Sequence, residues 1–147
     1  MDAAMIVKSI LAAKRGGVVT IEPTANLAAA VKLLTERHIG ALVILGTDHR
    51  VIGILSERDI VRALAEHGET VLSEPVSQVM TRDVATCSED DAIEDLMGRM
   101  TTGRFRHMPV VQQEKLIGIV SIGDVVKSRV EEIDHEAKAL HDYIQTA

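Results

Sequence analysis

One pattern occurs twice, and it limits what this chain can fold into more than any other feature. Val51-Ile52-Gly53-Ile54-Leu55-Ser56-Glu57-Arg58-Asp59-Ile60-Val61 and Leu116-Ile117-Gly118-Ile119-Val120-Ser121-Ile122-Gly123-Asp124-Val125-Val126 agree in Gly, Ser and Asp, and in apolar character along the run before the Ser and just after the Asp. In each copy a buried-strand run passes through Ser-x-x-Asp into the start of an apolar helix. A chain that does this twice is read as a repeat. A single Ser-x-x-Asp is a capping box, with Ser at the N-cap and an acid three residues on. Both copies, however, lie where a strand meets a helix N-terminus, a place whose free N–H groups and dipole favour anions. A carboxylate there can also accept hydrogen bonds from two neighbouring hydroxyls, as on a ribose. One sugar-phosphate would satisfy both features.

The rest of the chain fits a tandem α/β (α+β) fold of two strand-helix-strand-strand-helix units. Residues 1–17 hold a short amphipathic helix, with Met5, Ile6, Ile10 and Ala13 on its apolar face, ended by Lys14-Arg15-Gly16-Gly17. The first repeat spans 18–66. It has a brief strand Val18 to Ile21 closed by Pro23, a helix with the stripe Leu27, Ala30, Val31, Leu34 capped by Thr24 or Asn26, a break at Gly40, and strands Ala41 to Leu45 and Val51 to Leu55 joined by a Gly46 to Arg50 turn. Residues 67–78 are polar, contain Gly68 and Pro75, and read as the linker. The second repeat, 79–129, repeats the order: a brief strand Val84 to Thr86, a helix stripe Ile93, Leu96, Met97, Met100, strands Met108 to Val111 and Leu116 to Val120, and a helix opening at Val125. Leu27 and Ile93 are 66 residues apart and Ser56 and Ser121 are 65, so one residue is lost in the second hairpin turn. A unit of about fifty residues buries too little surface to stand alone, so the two should pack through their sheets with pseudo-twofold symmetry.

Residues 130–147 continue as a C-terminal helix whose Val126, Val130, Ile133, Ala137, Leu140 and Ile144 follow a heptad seam. It either lies across its own domain or packs on a second subunit; a homodimer suits both.

Composition narrows the function. At 147 residues, 46% hydrophobic and 26% charged, the chain is expected to fold as a globular protein. With one Phe and one Tyr the core must be aliphatic, and no aromatic platform is available for stacking nucleic-acid bases. A net charge of −6 with scattered basic residues argues against nucleic acid as a partner. The longest aliphatic run, Ala41 to Leu45, is far too short to span a membrane. Met1 to Ala13 lacks the features of a secretory signal and one cysteine makes no internal disulfide, so a cytoplasmic location is expected.

With the repeats in hand, the chain resembles a tandem pair of CBS (cystathionine beta-synthase) domains, a Bateman module, and most nearly the small stand-alone bacterial members. The resemblance is carried by Thr20-Ile21-Glu22-Pro23, Ile39-Gly40-Ala41-Leu42-Val43 and Gly53 to Asp59, then by Val79-Met80-Thr81, Arg106-His107-Met108-Pro109-Val110 and Gly118 to Asp124, over about Val18 to Arg129. It implies a regulatory module binding AMP, ADP, ATP, NAD(H) or S-adenosylmethionine between the repeats, and disc-like dimers. By resemblance, Asp59 and Asp124 hold ribose hydroxyls, Ser56 and Ser121 lie near ribose or phosphate, Thr20 and Thr86 border the adenine pocket, and Arg106 and His107 approach phosphates. The first repeat has Gly40 and Ala41 where the second has Arg106 and His107. If each cleft combines one repeat's Asp with the other's strand start, Asp59 shares a phosphate-rich site with Arg58, Arg106 and His107, and Asp124 faces Gly40 and Ala41 with little charge. Pro23 corresponds to Glu89 and Pro109 to Val43.

Other constellations have plainer uses. Cys87 beside a strand is expected to be a buried, inert thiol. The six histidines lack metal-ligand spacing, and the acidic run Ser88-Glu89-Asp90-Asp91 is expected to cap a helix rather than hold a cation. No Gly-x-x-x-x-Gly-Lys or Gly-x-Gly-x-x-Gly loop is present, so a bound NAD(H) would act as a signal. The expectation is a non-catalytic sensor with no metal and no catalytic residues, whose AMP, ATP or NAD(H) site regulates an unknown target protein. The alternative is a dimerising structural adaptor without a nucleotide ligand.

Overall fold

Helices begin and end where caps allow, and the two repeats stop theirs in the same way. The computed structural model describes residues 5–14 and 17–146, the last by its backbone alone; the expected turn residues Arg15 and Gly16 lie outside the described residues. The elements in order are α1 (Val7–Ala13), β1 (Thr20–Ile21), α2 (Leu27–Arg37), β2 (Ala41–Leu45), β3 (Val51–Ser56), α3 (Glu57–His67), α4 (Ile93–Gly103), β4 (His107–Gln112), β5 (Lys115–Ser121) and α5 (Ile122–Thr146). Asn26 caps α2 by accepting the Ala29 N–H at 2.8 Å. The helix then buries Leu27, Ala30 and Leu34, as the spacing requires. It ends at His38, before Gly40, with His38 left-handed at φ 54°. Arg104 ends α4 equivalently at φ 58°.

The two sheets differ in their first strand. β1 pairs parallel with β2, which pairs antiparallel with β3. β4 and β5 form only a two-stranded antiparallel sheet. The strand expected at Val84 to Thr86 is replaced by a single parallel bridge between Cys87 and Val110. In the first repeat the Val43 N–H donates to the Val19 carbonyl at 3.3 Å. Pro109 stands at the place of Val43 and has no N–H to give, so the ladder keeps only the two bonds made by Cys87, to Pro109 O at 3.0 Å and from Val111 N at 2.9 Å. Pro109→Val is therefore expected to create a slowly exchanging amide at 109 with little net change in stability. The added bond, about 0.5 to 1.5 kcal/mol, is offset by the greater freedom of the unfolded chain. A fast-exchanging amide there would refute this account.

Each repeat fills its core with the segment leading into the other. The first core gathers Leu27, Leu34, Leu42, Ile44, Leu55 and Ile60 with Val71, Val76 and Met80. Part of the expected linker is thus structural: two short 3-10 turns, Glu69–Ser73 and Val76–Gln78, place Val71 and Val76 inside. The second core gathers Ile93, Leu96, Met100, Met108, Val110, Val120 and Val125 with Val7 and Ile10 of α1. The strand glycines make both dockings possible. A Cβ on Gly53 would lie 2.2 Å from the Met80 Sδ, and one on Gly118 would lie 2.7 Å from the Leu11 Cδ2. The hairpin turns also meet, through an Arg50–Glu114 ion pair at 3.1 Å and a bridge between Arg50 and Lys115.

α1 is pinned to the second repeat at both ends by carboxylates. Glu132, itself buried, accepts the Met5 N–H at 2.7 Å and pairs with Arg129. Lys14 donates to Asp124 Oδ2 at 2.9 Å and to the Ile119 carbonyl at 3.0 Å. Between them Val7 N bonds Asp91 O at 3.0 Å and Lys8 N bonds Glu89 O at 2.8 Å. The acidic run is accordingly a turn ahead of α4 rather than its first turn: Asp91 accepts the Ser88 N–H at 2.8 Å and α4 begins after Ala92. Both pinning carboxyls are held below their ordinary values. For Glu132 the Met5 N–H is the main cause. For Asp124 burial acts to raise it but is outweighed by Lys14 and the Ser121 N–H. A depressed carboxyl stabilises the fold fully above its unfolded value, here 4.5 and 3.8, and that stability is lost as pH falls through the lower folded value. Acid is thus expected to loosen α1 below about pH 4. Urea midpoints between pH 2 and 6 for the parent and Glu132→Gln proteins check this, and identical acid slopes would contradict it.

α5 runs unbroken across residues 129 and 130. From Ile133 to Gln145 all of its residues are exposed. No helix among the described residues is long and apolar enough to cross a membrane.

Candidate functional site: two unequal clefts between the repeats

The Ser-x-x-Asp turns are capping boxes, and that leaves one carboxylate oxygen for other work. Ser56 closes β3 and caps α3: its Oγ accepts the Asp59 N–H at 3.3 Å, while Asp59 Oδ2 accepts the Ser56 N–H at 2.9 Å and its O–H at 3.1 Å. Ser121 and Asp124 repeat this at 3.1 and 2.9 Å. The structural reading of the motif therefore holds in both copies without displacing the functional one. Among the described residues, Asp59 Oδ1 has loose partners, the Thr81 hydroxyl at 3.4 Å and the Arg62 guanidinium at 3.9 Å.

Antiparallel pairing sets the start of β2 or β4 beside each turn. Ala41 stands opposite Ser56 and His107 opposite Ser121. The Glu57 N–H bonds the Gly40 carbonyl at 3.0 Å, and the Ile122 N–H bonds the Arg106 carbonyl at 2.7 Å. Gly40-Ala41 and Arg106-His107 are thus equivalent positions, and pseudo-symmetry crosses them between clefts.

The first hollow, about 440 Å³, brings Ser56, Arg58 and Asp59 of the first repeat together with Arg106 and His107 of the second. Gly40, Ile54, Glu57, Arg62, Thr81, Arg104 and Phe105 also line it, so four arginines share the hollow with two acids, Glu57 and Asp59. Its size falls within the roughly 300 to 1,000 Å³ of small-molecule sites. The second hollow, about 410 Å³, is lined by Gly17, Gly40, Ala41, Ser121, His38 and His107 with Lys14 and the apolar Leu11, Val18, Val19, Ile39, Ile117 and Ile119. Asp124 is not on its wall; Lys14 covers it.

His107 is the partition. It lines both hollows, and its ring lies 3.3 Å from where a Cβ on Gly40 would stand, so a larger residue there would press the ring aside by a few tenths of an ångström. Burial pushes its pKa down, helped by Lys14 and opposed by Glu57 and Asp124. At neutral pH it is uncharged, so its contact with a phosphate would be a hydrogen bond, and the charge comes from the arginines. Thr20 and Thr86 line neither hollow. Thr20 is exposed on β1, with Val19 beside it turned inward, and the Thr86 carbonyl accepts from Arg99 at 2.8 Å.

Sequence reading missed Arg62, Thr81, Arg104, Phe105 and Lys14. Arg62 lies one helical turn beyond Asp59, which spacing alone discloses. The others reach their places through packing between distant segments. Cys87 is buried and its thiol is pushed up to about 12 by burial and by Asp91, so it carries no thiolate at neutral pH. Among the described residues no cluster of His, Cys, Asp and Glu could hold a metal ion.

Comparison with known proteins agrees with this architecture. The sequence pattern of the CBS domain matches residues 7–66 and 76–131. The crystal structure of a CBS-domain containing protein from Agrobacterium tumefaciens is 44% identical, with a TM-score of 0.81 over 86% of this chain and 94% of that one. A mitochondrial CBS domain-containing protein of Arabidopsis thaliana is 38% identical over 120 residues, 79% of this chain and 58% of the relative. The CBS domain pair of protein MJ0100, solved with 5′-methylthioadenosine and S-adenosyl-L-methionine, is 25% identical, with a TM-score of 0.75 over 85% of this chain and 95% of that one. This chain spans less than two thirds of the length of several curated relatives.

Proposed function

Since the chain belongs to the CBS-domain family and carries two copies of the domain, we propose that it is a non-catalytic regulatory protein that binds an adenosine-containing ligand, AMP, ADP, ATP or NAD(H), in the cleft at Asp59. One observation carries this reading: a carboxylate with a loosely engaged oxygen, suited to a ribose diol, shares one hollow with Arg58, Arg62, Arg104 and Arg106, suited to phosphates. The related pair solved with two adenosine derivatives lends support. Ligand binding across the repeats shifts the balance of two arrangements that a cytoplasmic target protein reads. Calorimetric titration with AMP, ATP, NADH and S-adenosylmethionine tests it. At a hundredfold excess over Kd a bound nucleotide stabilises the fold by about 2.7 kcal/mol, so a thermal shift accompanies the heat. Neither heat nor shift with any of the four would end the proposal.

Self-association through α5 belongs to the same reading. Val130, Ile133, Leu140 and Ile144 are exposed by 52, 47, 61 and 63% along the heptad seam. A helix segment that exposes its apolar stripe gains by having it covered, and a second copy of α5 supplies the matching stripe. Ile133→Asp with Leu140→Asp is expected to yield a monomer by light scattering. If the parent is itself a monomer at millimolar concentration, the structural-adaptor alternative loses this support as well.

A further inference from the structure

The two clefts are built alike but closed differently. At the first, the segment ahead of the second repeat forms a backbone bridge: Thr81 N bonds Ile54 O at 2.9 Å, and its hydroxyl approaches Asp59 Oδ1 at 3.4 Å. At the second, Ile119 stands where Ile54 does, and Lys14 takes over both contacts. Its ammonium bonds Ile119 O at 3.0 Å and Asp124 Oδ2 at 2.9 Å. A neutral hydroxyl at long range is thus replaced by a full cation at contact distance. Arg62, the cation nearest Asp59, stays 3.9 Å away with its side chain 66% exposed, whereas that of Lys14 is 34% exposed. Lys14 is held there by the helix behind it, since Val7 and Ile10 are buried in the second core and Leu11 packs on Gly118.

We propose that Lys14 is a built-in occupant of the second cleft, standing where a ribose would meet Asp124, so that this cleft is closed to nucleosides until the ammonium is displaced. The inference rests on the nucleotide reading of the first cleft. The opened cleft takes an uncharged nucleoside rather than a nucleotide. Its walls are mostly apolar, and once Lys14 has left, no lysine or arginine among the described residues lines it to meet a phosphate; what remains is two imidazoles, His38 and His107, the latter with its pKa pushed down by burial.

The test silences the first cleft and reads the second. In an Asp59→Ala background, adenosine is titrated calorimetrically into proteins carrying Lys14, Lys14→Met or Lys14→Gln. Both replacements keep much of the side-chain stem, and circular dichroism checks that α1 stays docked. Adenosine is expected to bind either Lys14 variant at least about tenfold more tightly than the Lys14 protein, the scale of one charge-assisted contact. Adding Asp124→Asn should abolish the gain. Equal adenosine affinity with and without Lys14, or a gain that survives Asp124→Asn, overturns the proposal. AMP titrated into the unsubstituted protein serves as the separate control. Its failure to bind counts against the first-cleft reading, while the Asp124-dependent gain is measured independently of it.

Discussion

Asp59→Asn is expected to weaken AMP binding by about ten- to a hundredfold while leaving the protein as stable as its parent. A ribose diol donating to a carboxylate makes charge-assisted hydrogen bonds, each contributing about 1.5 to 3 kcal/mol. The amide loses that charge. It keeps an oxygen able to accept the Ser56 N–H that Asp59 Oδ2 accepts at 2.9 Å, so the start of α3 is preserved. Asp59→Ala removes the reciprocal half of the capping box too and should cost about 0.5 to 1.5 kcal/mol of stability besides. The pair of variants thus separates capping from binding within one residue. Arg106→Ala, whose side chain belongs to the opposite repeat, should weaken ATP more than adenosine, because only the phosphates gain from a guanidinium. An Asp59→Asn protein that binds AMP as its parent does would remove the ribose assignment.

The second large effect concerns architecture. Ile10→Ala, near the start of the chain, is expected to cost about 2 to 5 kcal/mol and to expose the far repeat. Ile10 is 5% exposed, in a core that, Val7 and Cys87 apart, is otherwise built by α4, β4, β5 and α5. The amides of β4 and β5 should lose hydrogen-exchange protection before those of β2 and β3, although the latter are nearer in sequence. Loss confined to the first repeat would mean that α1 is not part of the second core. Because residues of both repeats line the hollow at Asp59, AMP bound there as proposed should, at saturation, recover part of the lost stability.

Much of this could be read from residues alone, for a definite reason. Ser56, Asp59, Ser121 and Asp124 recur at fixed spacing, and a strand-to-helix turn with its capping box is decided within four residues. Helix stripes and strand runs are likewise local, so α2, α4 and the two hairpins lie near their expected positions. The crossed pairing of Asp59 with Arg106 and His107 followed from the repeat, because two half-sites related by a pseudo-twofold must exchange partners. The missing strand at Val84 to Thr86 was nearly legible as well. Pro109 was visible in the sequence, but its consequence needed the knowledge that its N–H faces a parallel neighbour.

What lies on each carboxylate was decided elsewhere. Lys14 and Asp124 are 110 positions apart, and Met5 and Glu132 are 127. No periodicity links such residues. They meet because α1 buries Val7 and Ile10 in the repeat it does not precede, just as Val71, Val76 and Met80 fill the other. The residues determined two equivalent acidic turns. Packing made them unequal, since burial of apolar surface is indifferent to sequence distance and carries along whatever charged side chain stands at the end of the docked segment.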